Sequence, residues 1–293
     1  MRLLKHLKGI HVDPQKNTAE LAAELMPIPE RVYISMVQHI GAPCSPVVAV
    51  GDSVKVGQKI GDTEAFVSAP IHSSVSGTVV SIEGIMSSLG SIDTTVVIET
   101  DGLQTPLESL VPPAPQTREE FVKVIRESGL VGLGGAAFPT HVKYAPKNPD
   151  EVRTLVINGA ECEPYITSDY RTMLDAPEDI LSGISLVMKF LKLDQCYIGL
   201  EGNKPKAIEL LTKLTKDRPE ISVITLQEKY PQGAERVLIY ETTGKVLPPG
   251  KLPADIGVLV SNITSVAFIG QYFRTGMPLV TKCITVDGSA VNT

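Results

Sequence analysis

Apolar positions fall into two textures along the chain. In the first, short β-branched runs lie between Gly, Pro, Asp and Ser: Val32–Met36, Pro46–Val50, Val54–Ile60, Ser76–Ile82 and Thr94–Glu99. Such runs predict short strands joined by turns. Pro106–Gln116 carries four prolines and reads as a linker. After it, helical and strand patterns alternate. Arg118–Glu127 sets Phe121, Val122, Val124 and Ile125 at helical spacing, with Thr117 as N-cap and Glu120 completing a capping box. Strands are predicted at Arg153–Asn158, Gln195–Leu200, Ile221–Leu226 and Gly257–Ser261. Helices are predicted at Asp175–Leu191, boxed by Asp175 and Glu178, at Pro205–Thr215, and from the last strand to about Phe273. Alternating strands and helices predict an α/β layer with a mainly parallel sheet. The expected organisation is an all-β domain over residues 1–110 and an α/β domain over 117–278. Leu279–Val286 reads as one more strand before an Asp287-Gly288 turn, so residues 279–293 are expected to open a third module that is cut short.

Composition narrows the function classes. At 293 residues the chain has room for about two domains of the usual ~100–200 residues. The net charge of −6, the absence of Trp and the 5% aromatic content argue against a nucleic-acid partner. The longest apolar runs, such as Val47–Val50, fall far short of the ~20 residues of a membrane span. Met1–Ile10 begins basic but lacks the apolar core of a signal peptide. Cys44, Cys162, Cys196 and Cys283 are scattered and form no CxxC, so no metal site is read and a reduced cytoplasmic setting is expected.

Gly51–Gly61 and Ala69–Ile82 resemble the two halves of a biotinyl/lipoyl carrier fold, a barrel-sandwich. Carriers of that kind present a modified lysine at a hairpin tip. Here the tip reads Glu64-Ala65-Phe66-Val67-Ser68, without lysine, which leaves a docking or structural role. His72 is expected to be a hydrogen-bonded structural histidine and Cys44 a small buried side chain.

Gly129–Tyr144 (GLVGLGGAAFPTHVKY) packs four glycines into seven residues. A Rossmann fingerprint needs a strand before the glycines and a helix after them; here a helix precedes and the strand follows. A Walker A loop lacks its Gly-Lys-Ser/Thr. What the residues offer is backbone free to approach a flat or anionic ligand, with Lys143 as a point charge and Phe138 as a neighbouring aromatic.

This segment resembles the GLxGxGGAxFPTxxK signature of the flavoprotein subunit of respiratory complex I. Asn158–Arg171 (NGAECEPYITSDYR), Gln38–Pro43 (QHIGAP) and Ser68–Gly77 (SAPIHSSVSG) are similar to the RnfC family of the Rnf electron-transport complex, and the likeness runs over nearly the whole chain. The resemblance implies binding of FMN and NAD(H). By carry-over, Gly132, Gly134 and Gly135 lie along the flavin and nucleotide, Lys143 meets the phosphate and Phe138 stacks on the nicotinamide or adenine. Asn158 and Glu161 hydrogen-bond the ribityl chain and flavin edge, and Glu163 faces the NADH side. Gly202 and Asn203 take the place of a nucleotide-contacting Gly-Glu pair, Asn203 also being able to cap the following helix. Tyr230–Glu235 corresponds to another loop of the nucleotide pocket, and reads equally well as a strand-to-helix turn. Ser261 and Asn262 replace an Asn-Asn pair beside FMN. Ala160 stands where the complex I pattern has an acid. Cys162 is expected to be a packing residue, and Lys143, Lys204 and Lys206 are expected to attract NADH against the net charge.

The implied chemistry is hydride exchange between NAD(H) and FMN, with single electrons passed on to 4Fe-4S clusters. No catalytic acid or base is required, because the cofactor carries the reaction. This chain has no cysteine cluster, so those clusters are expected in a missing C-terminal part. The resemblance also implies membrane and ferredoxin-like Rnf subunits as partners, and a peripheral place on the cytoplasmic face of the cell membrane. Two alternatives stay open: an electron-transfer subunit of a cobalamin or amino-acid reductase, and a non-catalytic docking scaffold.

Overall fold

The computed structural model describes residues 8–88 and 90–291. The Met1–Ile10 reading therefore falls mostly outside the described residues. The chain divides into two compact units, one of residues 24–145 with 271–282, the other of the chain up to Ala23, residues 146–270 and the chain from Cys283 on.

The first unit holds β1 (Arg31–Ser35), β2 (Ser45–Pro46), β3 (Ser53–Val54), β4 (Lys59–Asp62), β5 (Ile71–His72), β6 (Gly77–Met86) and β7 (Ile92–Thr100). They form antiparallel sheets in the orders β1-β7-β6-β3 and β2-β4-β5. Ile34, Met36, Val54, Ile60, Val79, Val96 and Ile98 make one core. These are alternate positions of the predicted runs, as one buried face per strand requires. The runs Pro46–Val50 and Val54–Ile60 form only short strand pieces, because Pro46, Gly51 and Gly57 interrupt the ladder.

Helices α1 (Arg118–Glu127) and α2 (Thr140–Lys143) belong to this same unit. The capping box of α1 is present, with Glu120 N–H donating to Thr117 Oγ1 at 3.1 Å and Thr117 N–H donating to the Glu120 carboxylate at 3.4 Å. Its last turn is tied to β4: Arg126 donates to Asp62 at 2.7 Å, and Lys59 donates to Asp62 at 2.8 Å and Glu127 at 2.6 Å. The proline-rich stretch lies inside this unit rather than at its border. Val56 donates to Thr105 and accepts from Leu107. Farther on, Phe273 packs on Phe121 at 5.7 Å between ring centroids.

The second unit holds β8 (Thr154–Gly159), α3 (Ser168–Asp175), α4 (Pro177–Leu191), β9 (Gln195–Glu201), α5 (Pro205–Leu214), β10 (Ile221–Leu226), α6 (Glu235–Thr243), β11 (Val258–Asn262) and the start of α7 (Ile263–Thr275). Its sheet is fully parallel in the order β10-β9-β8-β11. Strand order therefore reverses at β8, and sheets of this kind bind ligands beyond the carboxyl ends of the strands at such a reversal. Helices α4 and α7 approach closely: a Cβ on Gly183 would lie 1.9 Å from Val266 O, and one on Gly270 2.1 Å from Asp179 O.

Three sequence expectations are corrected here. The helix predicted at Asp175–Leu191 is present as α4 from Pro177 to Leu191, but Asp175 and Glu178 do not box it: its cap position is Ala176, without a side-chain cap, and Asp175 instead ends the preceding helix α3. Leu279–Val286 forms no strand, since no strand among the described residues runs alongside it to complete a ladder. His72 is buried with Nδ1 unpartnered instead of hydrogen-bonded, and burial, helped by Lys59, pushes its pKa down to about 4.

Candidate functional site

The sheet edge is built from the ends of β8, β9 and β11. Asn158 and Asn262 stand opposite each other in the β8/β11 register. Asn158 Nδ2 donates to Gly233 O at 2.9 Å, and its Oδ1 accepts from Ala160 N–H at 3.2 Å. Asn262 caps α7 by accepting from Ser265 N–H at 3.0 Å, and donates to Asp169 Oδ2 at 2.7 Å. Ser261 is buried beside it.

Glu161 opens the loop after β8 in a left-handed conformation, φ 49°. Its Oε1 accepts from Asp169 N–H at 2.6 Å, at the amino end of α3, where free N–H groups favour an anion. Its Oε2 is buried without a partner. Burial, reinforced by the nearby Asp169 charge and opposed by Lys204 and Lys16, raises the Glu161 pKa to about 7. Glu163 is exposed.

Three further side chains complete this edge. Lys16, from the segment ahead of the β strands, places Nζ against the carbonyls of Glu161, Glu163 and Ile166 at 2.8, 2.9 and 2.6 Å. Lys204 is 2% exposed and donates to Ala160 O at 2.6 Å and Asn203 Oδ1 at 2.9 Å. Gln232 is fully buried with both amide atoms unpartnered. The Tyr230–Glu235 motif pointed at its neighbourhood; nothing in the local pattern pointed to Lys16.

Lys204 therefore does not sit on the surface to attract a nucleotide, as expected, but is locked inside; burial lowers its pKa against the pull of Glu161 and Glu201. Lys206 is exposed and paired with Glu20. Asn203 does not cap α5, whose cap position is Lys204; its side chain serves the buried lysine. Gly202 lies beside it at the end of β9, next to Glu228. Cys162 accepts from Gly233 N–H at 3.3 Å, and burial raises its pKa, as suits a packing thiol.

The glycine-rich segment belongs to the other unit. Gly132 N–H donates to Phe138 O at 2.9 Å and Thr140 N–H to Leu130 O at 3.1 Å, which closes residues 131–139 into a loop. Gly129 is required by the chain itself, having φ +72° and Pro70 O 2.7 Å from any Cβ. Gly132 and Gly135 are different. Neither has a positive φ, and a Cβ would meet nothing closer than 3.7 Å at Gly132 and nothing within 4 Å at Gly135. Gly134 is exposed, and Phe138 and Lys143 are half-buried.

Two family models match the chain: the RnfC barrel sandwich hybrid domain over residues 4–103 and the Nuo51 FMN-binding domain over residues 125–271. The chain belongs to the RnfC family. Among its relatives, the RnfC-type component of the proton-translocating ferredoxin:NAD(+) oxidoreductase complex of Clostridium ljungdahlii is 43% identical over 99% of this chain and 64% of that protein. Its counterpart in the Na(+)-translocating complex of Acetobacterium woodii is 43% identical over 97% of this chain and 65% of its own length. The counterpart in the ion-translocating oxidoreductase complex of Pseudomonas aeruginosa is 38% identical over 94% of this chain and 36% of its own length. The chain thus spans about two thirds or less of these relatives. Among solved structures, an NAD+-reducing [NiFe]-hydrogenase in the H2-reduced state matches with a TM-score of 0.45 and 20% identity, over 54% of this chain and 31% of the other. In this RnfC-family chain the α/β unit carries most of the flavin-domain match, and the last three residues of α1 and the glycine-rich loop fall within the same match although they belong to the other unit.

Proposed function

We propose that this chain is the FMN-binding, NAD(H)-interacting part of an RnfC-type subunit, exchanging hydride between NAD(H) and FMN for onward single-electron transfer. The observation that carries the reading is the pair of buried, unsatisfied polar groups, Glu161 Oε2 and the Gln232 amide. Both belong to loops at the carboxyl end of the parallel sheet, where strand order reverses. Buried polar atoms without partners are costly, and a ligand offering donors and acceptors would satisfy them. In the other unit, the glycine-rich loop leaves room of its own: a Cβ at Gly132 would meet nothing closer than 3.7 Å and one at Gly135 nothing within 4 Å.

On this reading FMN, when bound, supplies the hydride acceptor and the step from two-electron to one-electron chemistry. The chain's residues do the holding. Asn158, Glu161, Gly202, Asn203, Ser261 and Asn262 supply the sheet-edge contacts. Gly132, Gly134 and Gly135 admit the flavin and nucleotide, Lys143 meets the phosphate, and Phe138 and Glu163 meet the nicotinamide nucleotide. No side chain needs to move a proton.

The partners proposed are the other subunits of a membrane-bound Rnf-type complex, with iron–sulfur centres outside this chain as the electron outlet. No helix among the described residues is long and apolar enough to cross a membrane. A peripheral position on the cytoplasmic face is part of the proposal. Desalted protein mixed with FMN is expected to stay yellow and to bleach anaerobically with NADH. Folded protein that elutes colourless would overturn the assignment.

A further inference from the structure

Residues 10–21 form an arm laid over the carboxyl edge of the parallel sheet, all within the α/β unit. Ile10 and Tyr230 exchange backbone hydrogen bonds at 3.0 and 2.8 Å. Tyr165 N–H donates to Pro14 O at 3.0 Å, and the Thr18 and Thr167 hydroxyls meet at 2.6 Å. His11, Pro14 and Lys16 line a small cleft with Cys162, Glu201 and Asn203. Most arm residues are exposed and contribute little to the core.

The loop under the arm has an unusual backbone. Glu161 and Tyr165 both lie in the left-handed region, at φ 49° and 69°. Such a conformation is strained for a non-glycine residue unless its surroundings hold it. The loop also turns the carbonyls of Glu161, Glu163 and Ile166 toward one point. Three converging carbonyl oxygens repel one another unless a cation sits among them. An ammonium has three donors and no acceptor, which matches three carbonyls.

We propose that Lys16 is a positioning residue: by filling this three-carbonyl seat it sets the conformation of the 161–166 loop, and so the placement of Glu161 and Glu163 in the cofactor site. This deepens the FMN reading and rests on it for its functional half. The electrostatics agree, since Lys16 is one of two cations, with Lys204, that counter burial and Asp169 at Glu161.

The test compares Lys16→Met and Lys16→Arg in the whole chain, by two readouts. The first is amide hydrogen exchange over residues 161–167 without flavin. Lys16→Met keeps the reach of the side chain but offers no donor; exchange in the loop should rise at least tenfold while β8 to β11 stay protected. The second is FMN affinity by fluorescence quenching, expected to weaken at least tenfold in Lys16→Met. Lys16→Arg, cationic and rich in donors, should restore both to within threefold, which a purely space-filling role would not produce. Unchanged loop exchange in Lys16→Met, or equal losses in Met and Arg, overturns the proposal. So does wild-type FMN affinity in Lys16→Met. If the wild-type chain itself takes no FMN, the functional reading fails, and loop exchange still decides whether Lys16 holds the loop.

Discussion

Asn158 and Asn262 face each other across the β8/β11 register, where the order of the parallel sheet reverses. Each is tied away from the other. Asn158 binds the Gly233 carbonyl, and Asn262 binds Asp169 and caps α7. Two loops and two helices thus take their positions from one pair of amides. Asn262→Ala removes a cap, worth about 1 kcal/mol, and frees Asp169 from one donor. The expected result is a lower melting temperature together with weaker FMN retention, measured on the same preparation. A lower melting temperature with unaltered retention would make Asn262 structural only.

Glu161 makes the chain's stability depend on pH in an uncommon direction. Its folded pKa of about 7 lies above the ordinary 4.5 of a free glutamate. The folded state therefore binds more protons than the unfolded state between those values, and stability falls as pH rises through that window. The loss is at most about 3 kcal/mol. The groups facing this carboxyl are Asp169, Lys204 and Lys16. Glu161→Gln should flatten the urea-unfolding profile between pH 4.5 and 7. A variant profile as steep as wild type would place the titration elsewhere.

Gly135→Val separates ligand space from fold. A Cβ there meets no protein atom within 4 Å, and no positive φ is needed. The melting temperature should stay within 2 °C, since surface substitutions of this kind cost about 0.5 kcal/mol or less. FMN affinity should drop at least tenfold. Retained affinity would return the loop to a structural role.

Gly183→Ala and Gly270→Ala should act the other way. The added methyl groups would lie 1.9 Å from Val266 O and 2.1 Å from Asp179 O. Backbone cannot yield as a flexible side chain does, so each should destabilise the α/β unit by at least about 1–3 kcal/mol. Chemical denaturation measures this, with the urea midpoint as the readout.

The α1 helix shows what was legible in advance. Thr117 and Glu120 box its start and Phe121 and Ile125 recur on one buried face, all within ten residues of chain. The parallel strands were legible for the same local reason, as unbroken apolar runs between helices. Helix α3 was not. Its segment SDYRTMLD has no side-chain cap of its own; its free amino end is satisfied by Glu161, whose role only folding reveals. At the candidate site, the Asn158–Arg171 motif covers the loop after β8 that carries Glu161, and the glycine-rich motif forms a loop of the other unit. Lys204 was misplaced on the surface because a lysine before a proline looks solvated in sequence, and its burial depends on Ala160 and Asn203 coming to meet it.

Two textures of apolar spacing, a boxed helix and two motif-bearing loops were therefore determined by the sequence alone, since each depends on residues a few positions apart. Tertiary structure decided three things. One was the strand reversal that aligns Asn158 with Asn262. Another was the buried company of Glu161. The third was the seat of Lys16 on carbonyls about 145 to 150 residues away along the chain. The physical reason is one of range. Capping and periodicity act within a helical turn or two, whereas the desolvation that gives a buried charge or an unpaired amide its chemistry exists only once distant segments have closed around it.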